Sequence, residues 1–204
     1  MKGWADDHGM AVVLALLVTS LLGALGVTLL LLSDTERRLS SNYRDDQATM
    51  YAAGAGLDRA LADLAAAPDW SAILAGGQRA TFVDATRWPV LPSGRSLDLD
   101  AITTDLQATA NSGASFGANT PVWRLFAWGS LSTLEPGAHR TSVAYLAVWV
   151  ADDLMETDEA PAVDSNGILT VHAEAFGLGA DRRAVEATVE RVNGRLRTIS
   201  WREL

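Results

Sequence analysis

The 204-residue chain has no cysteine, carries 16 Lys+Arg against 25 Asp+Glu for a net charge of −9, and is 49% hydrophobic. That composition excludes a wholly disordered chain, a collagen-like repeat and a disulfide scaffold, and it removes thiol nucleophiles, iron–sulfur clusters and thiolate zinc sites. The acidic balance is opposite to a nucleic-acid footprint, and because Lys2 is the only lysine, the rest of the chain has neither a P-loop lysine nor a Schiff-base lysine.

Before the apolar segment lie Lys2, Asp6, Asp7 and His8; the resemblance set out below implies that residues 1–9 are a short leader ending at Gly9. Met10 to Leu32 follows, 23 residues without a charge, ten of them Leu and four Val. That is the length of a membrane span, and at roughly 0.3 to 0.6 kcal/mol per Leu or Val those residues favour insertion by about 4 to 8 kcal/mol. A secretory signal peptide has a shorter apolar region and a small-x-small cleavage site. Here the run passes straight into Ser33-Asp34-Thr35-Glu36-Arg37-Arg38, so residues 10–32 are read as a retained anchor.

The helical pattern continues past the anchor. Leu39, Tyr43, Met50, Leu57, Leu61 and Leu64 fall on one stripe, no proline occurs between Met10 and Ala67, and Pro68 marks a stop. Gly54 and Gly56 cost about 1 kcal/mol each without breaking the pattern. A single helix over residues 10–66 is therefore predicted, its half at 33–66 amphipathic, with the stripe facing the rest of the fold.

Residues 67–204 are predicted to form a globular domain. Residues 69–121, rich in Gly, Pro, Ser and Thr, read as a variable connecting region. Strand-like stretches follow at 123–131 and 141–151, joined by Glu135-Pro136-Gly137, and alternation continues through Leu169, Val171, Ala173 and Ala175. After a Gly179-Ala180-Asp181 turn, Val185, Ala187 and Val189 alternate with Glu186, Thr188 and Glu190, and Asn193-Gly194 signals a hairpin into residues 195–201. The expected fold is α+β: a long N-terminal helix, half transmembrane, packed on an antiparallel sheet of four or five strands within 123–204.

The acidity is concentrated in one loop, where Asp152, Asp153, Glu156, Asp158, Glu159 and Asp164 occur with no base between them. Asp152, Asp153, Asp158 and Asp164 are candidate calcium ligands, although the spacing matches no EF-hand. The plainer reading is a solvated loop that protects a strand edge. Of the histidines, His8 lies before the apolar segment, and His139 and His172 have no ligand partner at helical spacing. His172, between Thr170 and Glu174, is expected on an exposed sheet face, whereas Trp123, Trp128 and Trp149 are expected in the core or on a sheet face. Gly-x-Ser-x-Gly, His-Glu-x-x-His, Walker A and Gly-x-Gly-x-x-Gly elements are absent from the sequence, so the chain is not expected to be an enzyme or to need a catalytic cofactor.

Two segments carry a family resemblance. One is His8-Gly9-Met10-Ala11-Val12-Val13-Leu14-Ala15-Leu16-Leu17. The other is Glu36-Arg37-Arg38-Leu39-Ser40-Ser41-Asn42-Tyr43-Arg44-Asp45, followed by Ala48-Thr49-Met50-Tyr51-Ala52-Ala53-Gly54-Ala55-Gly56-Leu57. Over about residues 8–65 the chain resembles the PilX-type minor pilins, with Glu36, Arg37, Asn42, Arg44, Ala52 and Ala53 as signature positions. It departs from the family at Gly54, where a glutamate is usual, and in its acidic leader.

The resemblance implies type IV pilus assembly. A prepilin peptidase would cut after Gly9 and methylate the Met10 amine, and the helix would then leave the bacterial inner membrane to join a filament with other minor pilins and the major pilin. It also implies an exported C-terminal domain, against the charge count, since Arg37, Arg38 and Arg44 outnumber Lys2 and would hold that side in the cytoplasm. Most pilins carry a glutamate five residues into the mature chain, where it neutralises a neighbour's terminal amine. Here that position is Leu14, which points to a priming or tip subunit. The alternative is a single-pass, membrane-anchored exported binding module that never enters a filament.

Overall fold

The structure is a computed structural model that describes residues 7–113, 120–134, 145–177, 179 and 181–204. Lys2, Asp6, the Glu135-Pro136-Gly137 connection, His139, the beginning of the predicted strand at 141–144 and Ala180 of the predicted turn lie outside the described residues. The chain divides into two compact units, residues 1–44 and 45–204, with the division inside the first helix.

In the first unit, helix α1 (Asp7–Ala66) begins and runs without a break into the second. It is the one helix among the described residues that is long and apolar enough to cross a membrane. Its polar side chains suit an apolar solvent, because the Thr19, Thr28 and Thr35 hydroxyls donate to the carbonyls of Ala15, Ala24 and Leu31 at 2.7, 2.8 and 2.9 Å, leaving no hydroxyl proton unsatisfied at those positions.

In the second unit, α1 continues over a five-stranded antiparallel meander: β1 (Arg124–Ser130), β2 (Tyr145–Asp152), β3 (Ile168–Phe176), β4 (Arg182–Val192) and β5 (Arg195–Glu203), in the spatial order β1-β2-β3-β4-β5. This is the expected α+β, pilin-like architecture. The β4–β5 hairpin closes on Asn193 (φ 52°) and Gly194 (φ 74°); two successive left-handed residues match the strand twist, which is why Asn-Gly serves there.

One face of the sheet packs on α1. Ala52, Ala53, Leu57, Ala60 and Leu64 are buried against Leu146, Val148, Val171, Val185 and Val189, with Met50 and Leu61 partly buried beside them. Two members of the predicted stripe do not belong to this core: Leu39 is 64% exposed and Tyr43 is exposed as well. The contact face is built from alanines between the leucines, so the period counted on large apolar residues alone assigned it wrongly. Close approach is visible at Gly56, where an added Cβ would come within 3.5 Å of the Leu146 side chain.

The end of α1 is held from β4. The last turn of the helix has no basic residue of its own, and its open carbonyls are met by Arg191, which donates to Leu64 O at 2.9 Å and Ala67 O at 2.8 Å. Its guanidinium also stacks 4.1 Å from the ring centre of Trp70, whose indole N–H donates to Leu64 O at 3.0 Å.

The region read as connecting loop forms two helices, the short α2 (Ser71–Leu74), whose Ile73 and Leu74 join the core on the α1 side, and α3 (Leu99–Gly113), which covers the opposite face. The missed helix has a start signal, since Asp98 Oδ1 accepts from the amides of Asp100 at 3.0 Å and Ala101 at 2.9 Å. It also has a stripe, Leu99, Ile102, Leu106 and Ala110, which packs with Trp123, Trp128, Trp149 and Phe176. Its threonines lower helix propensity, and burial of that stripe overrides them. The outer edge of β1 is lined by residues 80–84, through Trp128 N to Phe82 O at 3.1 Å and Asp84 N to Trp128 O at 2.8 Å. Phe82 crosses so close above Gly129 that a Cβ there would lie 2.8 Å from its ring.

Candidate functional site

The residues on which the resemblance rests fall into two groups. Gly9 and Met10, at the expected cleavage and methylation site, and the neutral Leu14 lie on the exposed apolar surface of α1, and Glu36, Arg37, Asn42 and Arg44 of the expected signature are exposed further along it, near an Asp34–Arg38 ion pair of 2.9 Å one turn apart. Ala52 and Ala53 are fully covered by the sheet. Small residues are therefore required at these two positions by packing, whatever else they do.

The second feature is the acidic loop between β2 and β3. It is not solvated as a whole: Asp152 is 0% and Glu156 5% exposed, and Asp153 is buried too. Asp153 serves the turn, its Oδ1 accepting from Met155 N at 2.8 Å and its Oδ2 from Asn166 Nδ2 at 2.6 Å. Asp164 Oδ1 accepts from Gly167 N at 2.7 Å, and its amide donates to Ser71 Oγ at 3.2 Å; burial raises its pKa against the lowering effect of these turn amides and of Arg191. Glu156 Oε1 accepts from both the amide and the hydroxyl of Ser165.

Oxygens of Asp152, Glu156 and Asp158 converge, all within 4.8 Å of one another. Burial, and then Glu156 alongside, push the Asp152 carboxyl up to about 7. Of the four predicted ligands, only Asp152 and Asp158 are in this cluster. Asp153 and Asp164 are turn-holding residues instead, and Glu156, the member not singled out, stands four residues after Asp152.

The third feature corrects the expectation for His172. It is 3% exposed, lying edge-on between Trp123 and Trp149 with ring centres 5.7 and 5.9 Å away. Its Nε2 lies 3.0 Å from Glu174 Oε1 and its Nδ1 3.5 Å from Glu186 Oε2. Arg182 Nε donates to Glu174 at 2.8 Å and Arg202 Nη2 to Glu186 at 2.6 Å, so two carboxylates sit between one imidazole and two guanidinia. Burial draws the His172 pKa down, but Glu174 and Glu186 more than reverse this, and it ends above its ordinary value. Burial raises Glu174 and Glu186 in turn, and His172 with the arginines takes both below the usual carboxylate range.

The signal for this network was the predicted turn: a hairpin centred on Gly179 puts Glu186 opposite His172, as the register has it. Alternation alone assigned the polar side of β3 to solvent, because nothing in β3 itself reveals that Trp123 and Trp149 enclose His172. Trp123, Trp128 and Trp149 are buried, with Trp149 Nε1 donating to Thr103 Oγ1 of α3 at 2.7 Å. No family model, curated protein or solved structure matches the chain.

Proposed function

We propose that the chain is a minor pilin of a type IV pilus or related filament, anchored in the bacterial inner membrane before assembly and acting in a priming or tip complex. The observation that carries this reading is one helix that is uncharged over residues 10–32 and packs its last turns on an antiparallel meander. It is joined to a Gly9-Met10 boundary and to the run from Glu36 to Leu57. An apolar helix exchanges lipid for other apolar helices with little change in solvation, and Gly23, Ala24 and Gly26 permit close helix contacts. A neutral Leu14 supports a position where no neighbour's amine needs a carboxylate, since a buried amine without one is costly. The partners are then a prepilin peptidase, other minor pilins and the major pilin.

N-terminal peptide mass spectrometry of the protein isolated from its cells tests the reading. A mature chain that begins at Met10 with an N-methylated amine is expected. An intact Met1, or a cut elsewhere, overturns it in favour of an anchored module outside any filament.

A further inference from the structure

We propose that the cleft between α3 and the strands β3, β4 and β5, on the sheet face opposite α1, binds a short neutral carbohydrate. The cleft holds about 450 Å³, within the ordinary size of small-ligand sites, about 300 to 1,000 Å³. Leu106 of α3, Pro121 and Trp123 form its apolar side. Its floor is two rows of polar side chains that cross the strands, Thr170, Thr188 and Ser200 in one and Glu186 and Arg202 in the next.

Three observations set the chemistry of the occupant. The first is charge. Among the described residues, Glu186 and Arg202 are the charged side chains that line the cleft, and they are paired with each other, Arg202 Nε and Nη2 donating to Glu186 Oε1 at 3.1 and 2.6 Å. No unpaired charge is presented, so an uncharged ligand is favoured over an anion or a cation. The second is the row of hydroxyls, groups that both donate and accept, as the hydroxyls of a sugar require. Ser200 Oγ donates to Thr188 Oγ1 at 3.0 Å, which leaves the Thr188 proton for an acceptor brought in from outside. The third is Trp123, which is 7% exposed and whose indole N–H is buried with no hydrogen-bond partner among the described residues. A buried donor is seldom left so, and a ligand oxygen supplies the acceptor that the chain lacks. The Trp123 ring is already held edge-on against His172, 5.7 Å between centres, so this wall is set before a ligand arrives, and Leu106 and Pro121 offer apolar surface to the C–H faces of a sugar ring. An extended peptide fits less well. It adds along the free edge of a strand, whereas these rows run across the strands and would leave its amides unpaired. The proposal is independent of the filament reading, because it uses no residue of α1.

The test applies the full chain, in micelles of a detergent without a sugar headgroup, to an array of neutral and sialylated oligosaccharides. The strongest neutral oligosaccharide is then titrated while tryptophan fluorescence is followed. Binding of a neutral oligosaccharide, with no gain from sialylation, and a saturable change in fluorescence are expected. Thr188→Val, which replaces a half-buried hydroxyl by a methyl of the same shape, should weaken binding about three- to tenfold, and Trp123→Phe, which removes the indole N–H, by a similar factor. Thermal melts establish that each variant is folded, and Thr188→Val alone decides if Trp123→Phe is not. Trp201→Phe, at an exposed position outside the cleft, should bind as the native chain does. Failure of every neutral oligosaccharide to bind, preference for the sialylated ones, or native-strength binding in folded Thr188→Val and Trp123→Phe would overturn the proposal.

Discussion

Leu57→Ala measures how much of the fold rests on the contact between α1 and the sheet. Leu57 is 2% exposed within the core that joins α1 to β2, β3 and β4. Truncation removes the transfer free energy of the lost carbons and leaves a cavity, and the cost depends on whether the surroundings can close over it. Here they are poorly placed to do so. The helix end is fastened by Arg191 and Trp70 to fixed carbonyls, and every residue of β2 is buried, so neither layer moves freely into the space. The cost should accordingly fall in the upper part of the range for such changes, about 3 to 5 kcal/mol. For a unit of this size that lowers the melting temperature by roughly 6 to 20 °C. The assay is thermal unfolding of the full chain in detergent, followed by tryptophan fluorescence, since Trp70 belongs to the same core. Leu39→Ala, at an exposed position on the same helix, is the control and should change stability by no more than about 0.5 kcal/mol. Equal effects of the two substitutions, or a Leu57→Ala melt within about 2 °C of the native one, would refute the reasoning.

The His172 network makes a signed prediction for pH. A raised His172 pKa contributes stability that is complete below the ordinary value of 6.5 and is lost as pH rises through the folded-state value; the depressed Glu174 and Glu186 contribute stability present above 4.5 and lost as pH falls through theirs. Chemical denaturation of the native chain and His172→Gln across pH 5 to 9 should therefore show their stability difference shrinking as pH rises, and a difference independent of pH would count against a charged imidazole between Glu174 and Glu186. Comparing the two chains also cancels Asp152, whose raised pKa adds its own alkaline loss. For the filament reading, Leu14→Glu places an acid in the apolar helix at a cost of about 2 to 3 kcal/mol at a helix centre and less near its end. Piliation should stay level or fall, and a marked increase of labelled protein along the filament shaft would make the chain an ordinary shaft component rather than a tip subunit.

What could be read in the sequence follows from how local each signal is. The uncharged run to Leu32, the absence of proline before Pro68, the alternation in β3 and β4 and the Asn193-Gly194 turn depend on neighbours in sequence, and the long helix and five-stranded meander emerge from them. Helix α3 was legible in part, through Asp98 and the Leu99, Ile102, Leu106, Ala110 spacing, but its threonines obscured it. The burial of His172 was not, because it depends on α3 and on tryptophans from two other segments arriving over the same face. The acidic loop shows the same division. Its charge is visible residue by residue, whereas the choice of Glu156 over Asp153 and Asp164 depends on Ser165 and Asn166 folding back and on which carboxylates the turn amides consume.

Arg191 explains why the loop and the helix end are best considered together. Its amide donates to Gly167 O at 2.8 Å, at the residue where the acidic loop re-enters β3, while its guanidinium meets the last carbonyls of α1 and its charge offsets part of the rise that burial imposes on the Asp164 pKa. One side chain thus supplies the cation that both a helix C-terminus and an acidic turn need. The loop is tied to the same junction a second time, through Asp164 N and Ser71 of α2. Charge repulsion within the loop therefore acts at one end on Asp152, in the last position of β2, and at the other on the connection that holds α1 to β4.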